Sequence, residues 1–460
     1  MPARLINALA TTEPLAELFS DHSVLQAMLD FEAALACAEA RVGIIPQSAA
    51  DAIASAAVAS NFDDAVLARD TLRAGTPGIP IATALTDRVL STNPAAAVFV
   101  HWGATSQDIA DTALVLLLKK AQQLLDADLM KTEQALANLS AQHANTVMLG
   151  RTLLQPAPPM TLGLKAASWH AAIRRGRHQL NRSFAAALVL QFGGATGTLA
   201  ALGDKGLAVA QSLAEELGLT HPEAPWHTQR DRLGTLVCAC GVVTGSLGKI
   251  ARDISLLMQN EVGEAAESGG QGRGGSSTMP HKRNPIGCAI TLAAANRTPG
   301  LVAAFLSGMI QEHERGVGGW QAEWPTISSL IQATGVAAAS MAEVTDALTV
   351  DAQRMRANID ATHGVVFAER AMILLGKALG REQAHRLLEE ATRRSVEKGL
   401  SLTEVLAAMP EVTKLLGPKE IKNLDDPQQY LGSAEAFRQR QLASEPRVGS
   451  TKEKAKERKE

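Results

Sequence analysis

The run Gly274-Gly275-Ser276-Ser277-Thr278-Met279-Pro280-His281-Lys282-Arg283-Asn284-Pro285 is the most informative stretch of this 460-residue chain. It follows Gly269, Gly270 and Gly272 and leads into an apolar segment that reads as a helix. A glycine-rich loop lets backbone N–H groups come close to a ligand. Two adjacent hydroxyls (Ser276, Ser277), a cation (Lys282) and a carboxamide (Asn284) suit a carboxylate substrate that gains or loses a proton beside its acid group. A plain helix start, with Asn284 as N-cap and Pro285 at N1, accounts for the last two residues. It leaves the Ser-Ser pair, Met279-Pro280 and Lys282 unexplained.

Other clusters are individually weaker. His101-Trp102-Gly103-Ala104-Thr105-Ser106-Gln107-Asp108 opens a long helical pattern. Thr105 and Asp108 have capping-box spacing, with Asp in place of the usual Glu. The first-turn N–H groups there favour an anion, although a structural cap beside a surface histidine would read the same way. Gly150-Arg151-Thr152-Leu153-Leu154-Gln155-Pro156 ends in a proline turn before a helix from Thr161. Trp226-His227-Thr228-Gln229-Arg230-Asp231-Arg232 starts a central helix, where its charges are compatible with a solvated first turn. Residues 311–315 and 320–324 set two tryptophans around a charged patch, more often a packing corner than a catalytic one. Residues 191–197 (QFGGATG) lack the Lys-Ser/Thr of a P-loop and read as a turn.

The elements that must position these groups are helical. Leu114, Leu118, Ala121, Leu125, Leu129, Thr132, Leu136 and Leu139 recur at steps of three or four, as do Leu233, Leu236, Cys240, Val243, Leu247, Ile250, Ile254 and Leu257. Long helices with one apolar seam pack as bundles. The second run carries Gly234, Gly241, Gly245 and Gly248, each costing roughly 1 kcal/mol of helix propensity relative to Ala. Close helix–helix approach between chains around a shared core would offset that cost. The best strand candidate is residues 187–192. Natural divisions fall near 100 and 360, giving helical regions 1–100, 101–360 and 361–445. The stretch 446–460 is mostly Lys and Glu without an apolar face and reads as a disordered charged tail.

Composition excludes several classes. Apolar residues make up 46%, charged residues 20% and aromatics only 3%, so the core is aliphatic and suits packed helices. A net charge of −3 without a basic face argues against nucleic acid. The four cysteines lack disulfide or zinc spacing; Cys238 and Cys240 fall on opposite sides of a helix. No apolar run approaches the ~18 residues of a membrane span, and no signal-peptide h-region is evident, so a cytoplasmic protein without membrane partners is expected.

The strings GSSTMPHKRNP, HWGATSQD and GRTLLQP resemble, in order, the GSSxMPxKxN, HxGxTSxD and GRTHxQ regions of the fumarase/aspartase superfamily. That superfamily includes the argininosuccinate and adenylosuccinate lyases. The likeness runs from about Leu18 to Leu431. WHTQRDR, QFGGATGTLAALG and EHERGVGGWQAEW are most similar to the bacterial 3-carboxy-cis,cis-muconate cycloisomerase branch. The resemblance implies an all-α fold of three helical domains, with a central long-helix bundle forming a twenty-helix core in a homotetramer. It further implies active sites drawn from three subunits, no cofactor and no metal, and a small tricarboxylate substrate.

Carried over by motif position, Ser276 transfers the proton, with Ser277 as second choice. Lys282 and Asn284 stabilise the aci-carboxylate, aided by Thr105, Ser106 and Thr152. His101, Gln155, Gln229, Arg230 and His281 complete the expected binding set. One departure is informative: Leu153 stands where the lyases carry the histidine of GRTHxQ, which helps an amine or hydroxyl depart. Lactonisation has an already ionised carboxylate as nucleophile and needs no such group. Cycloisomerisation is therefore favoured over an adenylosuccinate-type C–N lyase, and intact Ser276, Lys282 and Asn284 argue against a non-catalytic scaffold of the same fold.

Overall fold

The computed structural model describes residues 4–268, 274–275, 279 and 282–443. Long helices dominate, as the periodicity predicts: α1 (Asp21–Val42), α2 (Ser106–Gln142), α3 (Leu162–Ala187), α4 (Asp231–Leu257), α5 (Ile286–Ser307) and α6 (Gly319–Asp346). α1 is held by its ends, with Ser20 accepting from Ser23 N and Gly43 closing it at φ 74°. In α2 the seam residues Leu118, Ala121, Leu125, Leu129, Thr132, Leu136 and Leu139 are all buried. All eight seam residues named for α4 are buried as well. Each fully buried leucine contributes about 1.5–3 kcal/mol, so these seams anchor the fold.

The chain divides into two compact units. The first comprises Met1–Met130, Arg175–Lys249 and Ala289–Met341. Its core joins Phe31, Leu35, Ile53, Leu85, Ile109, Leu190, Phe192 and Leu213. The second comprises Lys131–Arg174, Ile250–Cys288 and Ala342–Glu460. Helices α7 (Ala368–Leu379) and α8 (Arg381–Lys398) enclose one of its clusters, built on Leu375, Leu388, Leu406 and Ile421.

Three expectations are corrected. First, residues 187–192 form no strand: α3 runs through Ala187, and Val189 makes only an isolated bridge to Thr220. The hairpin lies instead at β1 (Val147–Thr152) and β2 (Gln155–Thr161), where the sequence suggested only a polar turn. Second, the glycines of α4 are largely met within the chain. A Cβ on Gly248 would lie 2.6 Å from Ala295 Cβ on α5, whereas one on Gly245 meets nothing within 4 Å. Third, α4, α5 and α6 are each long and apolar enough to cross a membrane by length and composition, although polar residues interrupt their apolar runs. Their apolar windows are 61%, 22% and 72% buried. α4 and α6 thus spend their apolar faces inside the protein, and α5 leaves most of its own uncovered. The tail 446–460 lies outside the described residues.

Candidate active site

In the first unit, the start of α2 carries two buried carboxylates one turn apart. Asp108 accepts hydrogen bonds from the backbone N–H groups of Thr105 (3.1 Å), Gly193 (3.1 Å) and Gly194 (2.9 Å). His227 Nε2 lies 2.7 Å from its Oδ1. The Thr105 contact is the reverse half of the capping box that the spacing suggests. Residues 191–197 are thus a turn folded onto a carboxylate. A side chain at Gly193 is excluded, since its Cβ would fall 2.6 Å from Pro225 Cγ and 2.8 Å from His227 Cε1.

Asp111 receives Arg230 Nη1 (2.7 Å) and Nη2 (3.0 Å), Trp320 Nε1 (3.0 Å), Gln107 Nε2 (3.1 Å) and Gln191 Nε2 (3.2 Å). Arg230 turns its other edge to Glu323, with Nη2 to Oε2 at 2.6 Å. Burial alone would raise the Asp111 pKa; the Arg230 charge and the hydrogen bonds from Arg230, Trp320 and Gln191 outweigh it and hold the group below the usual carboxylate range. Burial prevails at Glu323, which is raised even though Arg230 opposes it. Arg315 joins the segments by donating to Gln107 Oε1 (3.0 Å), Gly194 O (2.7 Å) and Ala195 O (3.1 Å).

This corrects the expected role of Arg230. Its side chain is 0% exposed and its donors are committed to Asp111 and Glu323, so it holds the framework together and does not face a ligand. Nor are residues 226–232 a solvated first turn, since His227 and Arg230 are both buried. Thr105 and Ser106 remain half-buried and Gln229 exposed, available to a ligand. Trp320 and Trp324 pack edge to face with centroids 4.8 Å apart.

In the second unit, Arg151 makes a two-pronged pair with buried Glu264 (2.9 and 2.6 Å), which Asn358 also reaches at 2.7 Å. This fixes the end of β1. Beyond it Thr152 and Gln155 are exposed, and Leu153 and Leu154 form the tip at φ 50° and 65°. Two-residue hairpin turns with positive φ ordinarily use Asn-Gly or Asp-Gly. Here two leucines occupy the strained positions with 96% and 75% of their surface exposed. Lys282 is exposed and Asn284 half-buried, its N–H donating to Gly274 O at 3.0 Å. The N–H groups of Gly287 and Cys288 at the start of α5 donate to Glu267 (3.0 and 2.9 Å), a carboxylate supplied from twenty residues earlier. Ser276, Ser277 and His281 lie outside the described residues.

From the sequence Asp108 reads only as a cap, and Asp111, His227, Glu323 and Arg315 are not among the expected site residues. A signal existed: Asp108 and Asp111 are three apart, as are His227 and Arg230, and the two pairs meet in register, each 119 residues apart.

A family model described as Lyase matches residues 8–300, and one described as Adenylosuccinate lyase C-terminus matches residues 364–441. The chain belongs to this lyase family. Within it, a protein of Bradyrhizobium diazoefficiens named 3-carboxy-cis,cis-muconate cycloisomerase is 50% identical over 92% of this chain and 94% of its own. One of the same name from Pseudomonas aeruginosa is 48% identical over 97% of both chains. The crystal structure of 3-carboxy-cis,cis-muconate lactonizing enzyme from Pseudomonas putida matches with a TM-score of 0.89 and 46% identity, over 95% of this chain and 98% of that one. The superfamily and the all-α fold suggested by the motifs are thereby borne out.

Proposed function

We propose that this protein lactonises 3-carboxy-cis,cis-muconate to 4-carboxymuconolactone, in the protocatechuate branch of the β-ketoadipate pathway. The observation that carries the reading is near-50% identity to proteins of that name across almost the whole of both chains. Leu153 supports it from the chemistry. A side chain without a transferable proton stands where C–N and C–O lyases of the superfamily carry histidine.

In the proposed mechanism a substrate carboxylate oxygen bonds to the conjugated alkene. The alkene π electrons move to the carbon beside a second carboxylate, giving a doubly negative aci-carboxylate. Lys282 and Asn284, with Thr105, Ser106 and Thr152, stabilise that charge where it develops. Ser276 then delivers a proton to the carbanionic carbon, Ser277 being the second choice; His101, Gln155, Gln229 and His281 orient the substrate. Holding the internal nucleophile against the alkene supplies the proximity term.

The reading includes a cytoplasmic homotetramer with three helical domains per chain (1–100, 101–360, 361–445) and active sites drawn from three subunits. Two features support assembly: the largely uncovered apolar window of α5 and the exposed leucine tip of the hairpin. The test is to add 3-carboxy-cis,cis-muconate to the purified protein and follow loss of the diene absorbance. Decay to the lactone, abolished by Ser276→Ala, is expected. A folded protein that leaves the diene untouched refutes the reading.

A further inference from the structure

Glu32 sits on α1 within the core of the first unit, its side chain 0% exposed. Oε1 lies 2.5 Å from His101 Nδ1, and Oε2 has no hydrogen-bond partner among the described residues. A buried carboxylate is costly unless a cation compensates it. Among the described residues its ion pair is with His101. The imidazole, in contrast, is 21% exposed, and its Nε2 makes no hydrogen bond to the described residues. His101 is held at φ 58°, in the left-handed region that residues with a Cβ avoid. Such strain persists where the surroundings over-determine it, and it gathers at functional sites.

The groups facing the ring are acidic on both flanking elements: Glu32 on α1 and Asp108 on α2. Asp108 is itself shared with His227, and Glu39, two turns along α1, senses the Glu32 charge. Burial alone would make His101 a weaker base; the charge and hydrogen bond of Glu32 and the charge of Asp108 outweigh it and raise the pKa above the ordinary histidine value.

We infer that Glu32 is a positioning residue that orients His101 and pairs with it as carboxylate and imidazolium, so that Nε2–H is offered to a carboxylate of the substrate. With Nδ1 engaged by Glu32, Nε2 is the one ring position left for a ligand, and in the imidazolium it is a donor. The role is anion binding, which fits a reaction whose nucleophile needs no base. It rests on the tricarboxylate reading above, and it adds a second layer to the motif histidine: a buried acid about seventy residues upstream that no motif contains.

The test measures the pH dependence of kcat/KM for 3-carboxy-cis,cis-muconate. In parallel, calorimetry measures binding of propane-1,2,3-tricarboxylate, a non-reacting probe. In the wild type both should weaken through an alkaline limb as His101 loses its proton. Glu32→Gln should move that limb down by about one pH unit or more, raising KM far more than it lowers kcat. Glu32→Asp, which keeps the charge, should restore part of the shift. His101→Gln should remove the limb and weaken binding at least about tenfold, the loss of one charge-assisted hydrogen bond; it also serves should Glu32→Gln fail to fold. Turnover with an unmoved limb in Glu32→Gln overturns the inference and leaves the cycloisomerase reading intact. Probe binding with a shifted limb but no turnover does the reverse. Failure of the folded wild type to bind the probe overturns the inference.

Discussion

Glu39 provides a direct test of how burial acts in this fold. It lies on α1, 0% exposed, and neither carboxyl oxygen has a hydrogen-bond partner among the described residues. Burial, reinforced by the nearby Glu32 charge, pushes its pKa from 4.5 up to about 9. The folded chain therefore keeps a proton that the unfolded chain releases. The stabilising contribution is complete below pH 4.5 and is lost as pH rises toward about 9. At roughly 1.36 kcal/mol per pH unit, holding that proton costs about 3 kcal/mol at pH 7. Glu39→Met, similar in volume and without a charge, removes this cost. Unfolding entropies of about 2 cal/mol/K per residue place the gain near 3 °C in Tm at pH 7 for a chain of this length. The assay is thermal unfolding of both proteins at one protein concentration between about pH 5 and 8, with urea titration to convert Tm into free energy. The advantage of the variant should grow by about 1.4 kcal/mol per pH unit across that range and be small at its acid end. A variant that is equally stabilised, or equally destabilised, at every pH refutes the argument, because it would mean that Glu39 is ionised or paired in the native protein.

Three further outcomes are expected. Arg230→Met leaves Asp111 and Glu323 buried without their cation; it should cost about 3–5 kcal/mol and lower Tm in differential scanning calorimetry. Glu267→Ala removes the acceptor for two α5 amides, a loss of about 1–2 kcal/mol. Trypsin should then cleave after Lys282 or Arg283 faster while global Tm barely moves; unchanged cleavage would count against the clamp. Leu153→Asp puts a charge on the exposed hairpin tip, so light scattering should report a smaller assembly if another copy covers that tip, and an unaltered mass would count against such cover.

The sequence was most legible where physics is local and periodic. The seams of α2 and α4 follow from steps of three and four, and each named position of the α4 seam is buried. The hairpin was hidden by its own composition: β2 contains Pro156, Pro158 and Pro159, which cannot donate to a ladder and ordinarily argue against a strand. A sheet of only two strands has an outward edge on each strand, which tolerates them. The buried ion network was illegible for a different reason. Asp108 looks like a first-turn capping acid, and His227 and Arg230 look like solvent-facing charges, until a fold brings segments 119 residues apart together. The reactive motifs could be read as strings because their chemistry is written in residue types, whereas the partner that closes the start of α5, Glu267, carries no signature at all.

The gathering of Asp108, Asp111, Arg230 and Glu323 also bears on how such a protein can be redesigned. Arg230 neutralises both Asp111 and Glu323, and Asp108 is held by His227 and three backbone amides, so a change at one of these groups strands its partner in a dry interior, and single substitutions there meet a steep penalty whatever the substrate. Thr152 to Gln155 and Lys282, in contrast, are exposed and take no part in that network. New activities on this scaffold are therefore most accessible by varying the hairpin tip and the segment before α5, while the charged lattice beneath serves as an unaltered chassis.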